Sequence, residues 1–393
     1  MCASIWDTFF ERELTLLGAR GLLRDLHALP ETGGEISLGG RSVLNFSSND
    51  YLGLARDQRL KDAATQAIRK FGCGSTASRL MAGHLSLHEE LECDLARMMG
   101  TEAALVFGSG FLTNLGVLST VASPSDAIFS DRLNHASLID GIRLSRARCY
   151  RYLHRDLDHL ETLLKKGQTT GKRIIVSESV FSMDGDLAPV AGLAELAQRY
   201  DALLVLDEAH AIGVMGRDGG GVCRIPGRET HPQIVVGTLS KALGGYGGFV
   251  ACSRSIRRFL INKARSFIFS TGIPPACLGS SREAVSVVAA HPQLGETLLG
   301  KARRFRGLLV RRGLKLPEPE SQILPVLVGD NDVTVDFSRR LLERGLLIRA
   351  VRPPTVPVGT ARVRLSITLA LTDEALEKAS DIIAQSAREV GIV

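Results

Sequence analysis

Aromatic residues are scarce in this chain of 393 residues: they make up 5%, with one tryptophan. Set beside 40 glycines, that scarcity argues against a β-sandwich and for an α/β protein packed with small residues. The seven cysteines, Cys2, Cys73, Cys93, Cys149, Cys223, Cys252 and Cys277, are odd in number and show no Cys-x-x-Cys spacing. A disulfide framework and a ribbon-type zinc site are thereby excluded, and the thiols read as reduced, mostly core residues of a cytoplasmic protein. Met1 to Glu13 carries early acids and no basic segment followed by an apolar one, so it does not read as a signal peptide. No apolar run approaches the length that spans a bilayer. Charge of one sign is not in large excess: the net charge is +6, which suits small anionic substrates and is too diffuse for nucleic acid. With 45% hydrophobic and 23% charged residues, the composition is that of a soluble globular protein. The length predicts two or three domains.

Residues 4–29 read as an amphipathic helical arm, with Leu14, Leu17, Leu22, Leu23 and Leu26 at helical spacing and Gly33-Gly34 as its end. Ile36–Leu38 and Ser42–Phe46 read as a hairpin around Gly39-Gly40. Strand-like and helix-like segments then alternate. Ala103–Phe107, Ala127–Ser130, Ile174–Glu178, Leu203–Asp207, Ile234–Thr238 and Gly248–Ala251 read as strands. Leu60–Phe71, Glu89–Met99, Asn114–Val121 and Val190–Tyr200 read as helices. The alternation predicts a mostly parallel sheet covered by helices. After His291-Pro292 the texture changes: a basic helix at Leu294–Arg312, a break at Pro317–Pro319, strands at Ile323–Val328 and Arg362–Ser366, and a last helix at Asp373–Val390. This reads as a smaller α/β domain.

Two apolar runs end in chemistry. Leu203–Leu206 runs into Asp207-Glu208-Ala209-His210, and Ile234–Val236 leads into Gly237-Thr238-Leu239-Ser240-Lys241-Ala242-Leu243-Gly244-Gly245. In such sheets functional groups gather at the carboxyl ends of strands. A lysine that holds an aldehyde as a Schiff base, with an aspartate that keeps a pyridine nitrogen protonated, is what pyridoxal phosphate (PLP) requires. The acidic box also suits a nucleic-acid ATPase of the DEAH type, but that reading needs a phosphate loop, and the one candidate, Gly171-Lys172, is followed by Arg173. Gly108-Ser109-Gly110-Phe111 lies between a strand and a helix, where backbone amides bind phosphate. Gly72–Ala77 follows a helix rather than a strand and reads as a turn. His135 follows another strand of the sheet, placed to stack on a planar ring and to exchange protons. His84 and His88 stand at i, i+4 with Glu89 and Glu92 near, but no further cluster supports a metal. His154 and His159, flanking Asp156 and Asp158, read as a helix start. The basic run from Lys301 to Lys315 lacks an aromatic platform beyond Phe305 and reads as a solvated helix face. Arg362 and Arg364 share one face of a strand; both read as surface charges unless one is turned to clamp a carboxylate.

These residues carry a resemblance. Asn45–Leu54, Ser78–Gly83, Ser130–Gly141, Val180–Asp186, Asp207–Gly213, Thr238–Gly245 and Arg352–Pro357 are spread from end to end, and in them nearly the whole chain resembles the α-oxoamine synthases, PLP enzymes of fold type I. The resemblance implies a mostly parallel central sheet covered by helices with a smaller C-terminal α/β domain. It divides the chain into an arm (1–45), a large PLP-binding domain (46–290) and a small domain (291–393). It implies an acyltransferase that joins an amino acid to an acyl thioester with loss of carbon dioxide. Arg352–Pro357, followed by Gly359–Arg362, resembles the branch that serves biotin synthesis. That branch uses L-alanine and a pimeloyl thioester carried by CoA or acyl carrier protein; a glycine-using sister such as glycine C-acetyltransferase is the alternative. By position, the resemblance implies that Lys241 holds PLP, Asp207 pairs with the ring nitrogen, His210 and Ser182 contact the ring hydroxyl, and His135 stacks on the ring and touches the substrate. Gly110, Phe111 and Thr238 contribute phosphate or nearby cofactor contacts. Arg364 holds the amino-acid carboxylate with Asn49 close by, and Arg24 and Thr355 face the acyl substrate. The family is homodimeric with sites at the interface, so Ser270 and Thr271 are expected to reach the neighbour's phosphate.

Overall fold

The computed structural model describes residues 4–167, 169–318 and 320–393; Cys2 and Pro319, named above, lie outside the described residues. The chain forms two compact units, Asn49–Gly300, and Met1–Ser48 with Lys301–Val393.

The first of these is built on a sheet of seven strands. Across it they lie in the order Ala103–Phe107, Gly248–Cys252, Ile234–Thr238, Ala202–Asp207, Arg173–Glu178, Ala127–Asp131 and Arg148–Tyr152. The five from Ile234–Thr238 onward are parallel. Gly248–Cys252 is antiparallel to both its neighbours. Chain length is the reason: only the loop 239–247 separates it from the preceding strand, and a parallel return needs a crossover of about a dozen residues. The central strands are buried on both faces, with Ile174, Ile175, Val176 and Val205 all at 0% exposure, which is why they read as unbroken apolar runs instead of alternating ones. Val117, Leu118, Leu138 and Ile142, from the helices Gly110–Val121 and Ala136–Ser145, complete this core against Ile128 and Val236.

One ion cluster is buried in the same unit. The Glu92 carboxylate receives the Arg79 guanidinium, Arg257 Nη2 at 2.7 Å and the Val106 amide at 2.9 Å. Burial alone would raise its pKa, but the Arg79 charge and these hydrogen bonds hold it below the usual carboxylate range. The nearby His84 is spent on Arg79 and Glu89, and burial pushes His88 down to about 4. Among the described residues no three His, Cys, Asp or Glu side chains group as metal ligands.

In the other unit, Glu35–Leu38 and Arg41–Asn45 form the expected hairpin, and Leu346–Leu347 adds to it in parallel. Ile323–Gly329, Ala361–Ser366 and Ala350–Val351 make a second, antiparallel sheet. The arm differs from its expected form. Its helix covers Ile5–Ala19 only, with Ser4 and Asp7 as a capping box, and buries none of its residues. Gly21, at φ +62°, turns the chain out of it, and the carbonyls of Gly21 and Leu23 accept from the Arg352 guanidinium instead of continuing a helix. The basic helix, Gln293–Arg311, is less solvated than its charge suggests: Lys301 is buried and donates to the Leu371 carbonyl, and Phe305 stacks on Phe46 at 5.5 Å. Arg362 is buried too, so it is no surface charge. Nor are the cysteines mostly core, since Cys73, Cys93 and Cys149 are exposed and all six described ones are free. Among the described residues no helix is long and apolar enough to cross a membrane.

Removing one partner of a buried ion cluster strands the others. Glu92→Ala is therefore expected to cost about 3–5 kcal/mol in a urea titration; a loss under about 1 kcal/mol would contradict the role given to this cluster.

Candidate active site

Asp207 ends its strand, and the parallel register sets Glu178 beside it as the last residue of the next one. The Asp207 carboxylate, 6% exposed, is held at both oxygens: Asn114 Nδ2 donates to Oδ2 at 2.6 Å and the Ala209 amide to Oδ1 at 2.9 Å. Asn114 Nδ2 also reaches Ser137 Oγ at 2.9 Å, while its Oδ1 is buried with no hydrogen-bond partner. Ser137 Oγ lies 2.8 Å from His135 Nδ1, which also accepts the Ser137 amide. An accepting Nδ1 leaves the His135 proton on Nε2. Burial first, then the Lys241 charge, lowers the His135 pKa against the pull of Asp207, which favours this neutral ring.

A second chain of contacts starts at the lysine. Lys241 Nζ is 2.8 Å from His210 Nε2, His210 Nδ1 is 2.7 Å from the Tyr51 hydroxyl, and that hydroxyl donates to Asn49 Oδ1 at 3.2 Å. The donors run consistently in one direction, from ammonium to imidazole to phenol to amide. The loop bearing Lys241 is tied at its neck. Gly247 O accepts from the Leu239 amide, Thr238 Oγ1 and Ser240 Oγ. Gly244 sits at φ +61°, where an added Cβ would meet Ala55 N at 2.5 Å, so only glycine fits.

The Gly108–Phe111 turn opens the helix Gly110–Val121, with Ser109 as its cap. Ser109 Oγ takes the Leu112 amide at 3.1 Å, and the first amides of a helix lack intrahelical carbonyl partners, which suits an anion. Gly110 keeps that mouth open towards Thr238, whose Oγ1 lies 3.6 Å from where a Cβ would stand. A buried carboxylate, a lysine amine, a stacking imidazole and open helix-terminal amides in one unit fit PLP as a donor set. Ser182 is buried in the turn after Glu178. Thr271 pairs with Ser78 in an isolated bridge and is exposed. Arg24, Thr355 and Arg364 belong to the other unit. There Arg24 Nη2 donates to the Pro353 carbonyl at 3.1 Å, which sets it against the Thr355 segment, and Arg364 Nη1 donates to Ser366 Oγ at 3.1 Å.

Four residues of the web had no role assigned from sequence: Tyr51, Asn114, Ser137 and Glu178. Two carried a readable signal. Asn114 is a polar residue in an apolar helix, and Glu178 is an acid at the end of an apolar strand, as Asp207 is.

His154 was also underread. It bridges Asp131, at 3.0 Å from Nδ1, and Asp186, at 2.9 Å from Nε2, and so clasps the segments that lead to His135 and follow Ser182. Burial would lower its pKa, but hydrogen bonds to the two carboxylates and their charges raise it to about 9.

The residues from 41 to 383 match the model of the aminotransferase class I and II family. Among solved structures, a serine palmitoyltransferase of S. paucimobilis with bound PLP–myriocin aldimine overlays at a TM-score of 0.93, with 28% identity and 100% of both chains covered. An 8-amino-7-oxononanoate synthase of Francisella tularensis overlays at 0.76, with 29% identity over 88% of this chain and 98% of its own. The fold and the Asp207–Lys241 pair thus define a PLP-dependent enzyme of fold type I. Sequence relatives narrow the class. The 8-amino-7-oxononanoate synthase of Trichlorobacter lovleyi is 45% identical over 95% of this chain and 96% of its own length, and that of Geobacter sulfurreducens 45% over 97% and 98%. The chain belongs to the 8-amino-7-oxononanoate synthase family.

A histidine whose folded-state pKa lies above its ordinary 6.5 stabilises the fold fully below that value and loses the contribution as pH rises through the folded value. The melting temperature is therefore expected to fall as pH rises through about 9, and this part of the fall should vanish in His154→Gln. Parallel melting curves for the two proteins across that range would refute the clasp.

Proposed function

We infer that the protein is an acyltransferase of biotin synthesis that condenses L-alanine with a pimeloyl thioester, releasing carbon dioxide and the thiol carrier and forming 8-amino-7-oxononanoate. One observation carries this reading: two hydrogen-bond chains, one linking Asp207 to His135 and one linking Lys241 to His210, lie in a chain about 45% identical over nearly full length to enzymes of that name. The backbone overlay alone does not choose the substrate, since serine palmitoyltransferase overlays more closely than the Francisella tularensis synthase. Sequence relatives supply the choice: the Trichlorobacter lovleyi synthase is 45% identical to this chain, against 28% for the palmitoyltransferase.

PLP, when bound, supplies an aldehyde that condenses with amines and a ring that accepts the electron pair left at the adjacent carbon. Lys241 is the residue that holds it, and the same amine then takes the α-proton of the amino acid and returns one to the product. His210, 2.8 Å from Nζ, is placed to share that proton. Asp207 would face the ring nitrogen, with Asn114 and the Ala209 amide keeping the carboxyl aimed. His135 would cover the ring, Ser182 and His210 would take its hydroxyl, and the amides of Gly110 and Phe111 with Thr238 would take the phosphate. Arg364 would hold the substrate carboxylate, which orients the α-carbon. Arg24 and Thr355 take the acyl donor, on CoA or acyl carrier protein. The enzyme acts in the cytoplasm as a homodimer in which Ser270 and Thr271 serve the neighbouring subunit's phosphate.

Lys241→Ala is expected to lose the covalent cofactor link and to slow turnover by about 100- to 10,000-fold; an undiminished rate sinks the assignment. Asp207→Asn should retain PLP yet turn over roughly 100-fold more slowly, and near wild-type activity would contradict its electrostatic role. The visible band of the PLP-loaded protein should respond to L-alanine more strongly than to glycine. The reverse order would move the chain to a glycine-using sister activity.

A further inference from the structure

Glu178 is a buried acidic residue that the reaction does not use, set beside Asp207. It is 3% exposed and closes the Arg173–Glu178 strand beside Asp207. Its carboxyl accepts the His135 amide at 2.6 Å and the Ser182 amide as well. Its own amide donates to Asn134 Oδ1 at 3.1 Å, and Asn134 Nδ2 in turn donates to the Val176 carbonyl at 2.9 Å. One side chain therefore grips the backbones of two separate segments, one carrying the imidazole that covers the ring and the other the hydroxyl that meets the ring's own.

We propose that Glu178 is a positioning residue: its carboxyl clasps the amides of His135 and Ser182 and so sets both side chains against the cofactor. The inference rests on the placement of PLP between these residues given above. A structural alternative, an acid that merely caps a strand end, would not require both acceptor contacts to fall on cofactor-facing segments. Charge fits the same role. Burial and then the Asp207 charge push the Glu178 pKa up to about 8, against the pull of Lys241 and the two amides. A protonated carboxyl still accepts hydrogen bonds and adds no second negative charge beside Asp207.

The test combines hydrogen exchange on the protein without PLP with visible circular dichroism of the PLP-loaded protein. In Glu178→Ala, the amides of 131–137 and 180–186 should exchange at least about tenfold faster than in wild type, with the rest of the sheet unchanged. The dichroic band of bound PLP should change, and kcat should fall by up to about 100-fold while KM for the thioester stays within about twofold. Glu178→Gln keeps the volume and one acceptor oxygen, so it should restore protection in one segment and not the other. Should the alanine variant not fold, the glutamine variant decides alone. Unchanged exchange in both segments together with an unchanged PLP band overturns the proposal. A wild-type protein that binds no PLP would instead refute the cofactor reading, and the exchange data would still decide the clasp.

Discussion

The structure around the site depends on satisfying one carboxyl group inside the protein. Asp207 is nearly excluded from solvent, and a buried polar group without hydrogen-bond partners is costly. The fold answers with two donors aimed at its oxygens, Asn114 Nδ2 and the Ala209 amide. Much of the rest is a consequence of that arrangement. Asn114 has to sit on the buried side of a mainly apolar helix, which fixes how the Gly110–Val121 helix is turned on the sheet. Its bond to Ser137 orders the turn that begins the next helix, and His135 is held there. The acid on the neighbouring strand, Glu178, is left with backbone amides as partners and is driven towards its neutral form, first by burial and then by the Asp207 charge beside it.

Parallel strands make this economy available. Their carboxyl ends lie at one edge, so loops far apart in sequence open onto the same space. Asp207, Glu178 and the segment leading to His135 arrive there from adjacent strands. The lysine is delivered differently. Its loop joins two antiparallel neighbours and is tied at Gly247, so Lys241 stands on a short, braced turn and not on a mobile crossover. A braced amine beside His210 keeps its position without help from a bound ligand, and positioning of that kind is where much of catalysis lies.

Much of the sheet was legible because it is buried on both faces. A strand such as Ile174–Val176 leaves an unbroken apolar run that periodicity cannot mistake for a surface element, and an acid or lysine at its end stands out. The same signal that marked Asp207 was present at Glu178 and was passed over, because without the register nothing distinguished a strand-end acid that meets two amides from one that meets water. Tyr51 was illegible for a related reason, and the polar signal at Asn114 named no partner. Their meaning lies in partners 159 and 93 residues away. The arm was overread because leucines at helical spacing continue past Ala19, whereas the Gly21 turn and the Arg352 guanidinium that captures its carbonyls belong to tertiary structure. Exposure of three cysteines was equally out of reach, since a thiol's burial depends on which helix face its neighbours cover.

The sequence by itself determined the alternation of strands and helices, the strand ends at which chemistry is placed, and through its long resemblance the family to which the chain belongs. These are local or collinear properties, written in burial pattern and in motifs a few residues long. The tertiary structure alone decided the partners that hold the Asp207 carboxylate, the relay from Lys241 through His210 to Tyr51, and the clasp at Glu178. Each of these depends on the distance between groups remote in the chain, and hydrogen bonds and charge interactions in a buried site change with fractions of an ångström in a way that no spacing along the sequence encodes.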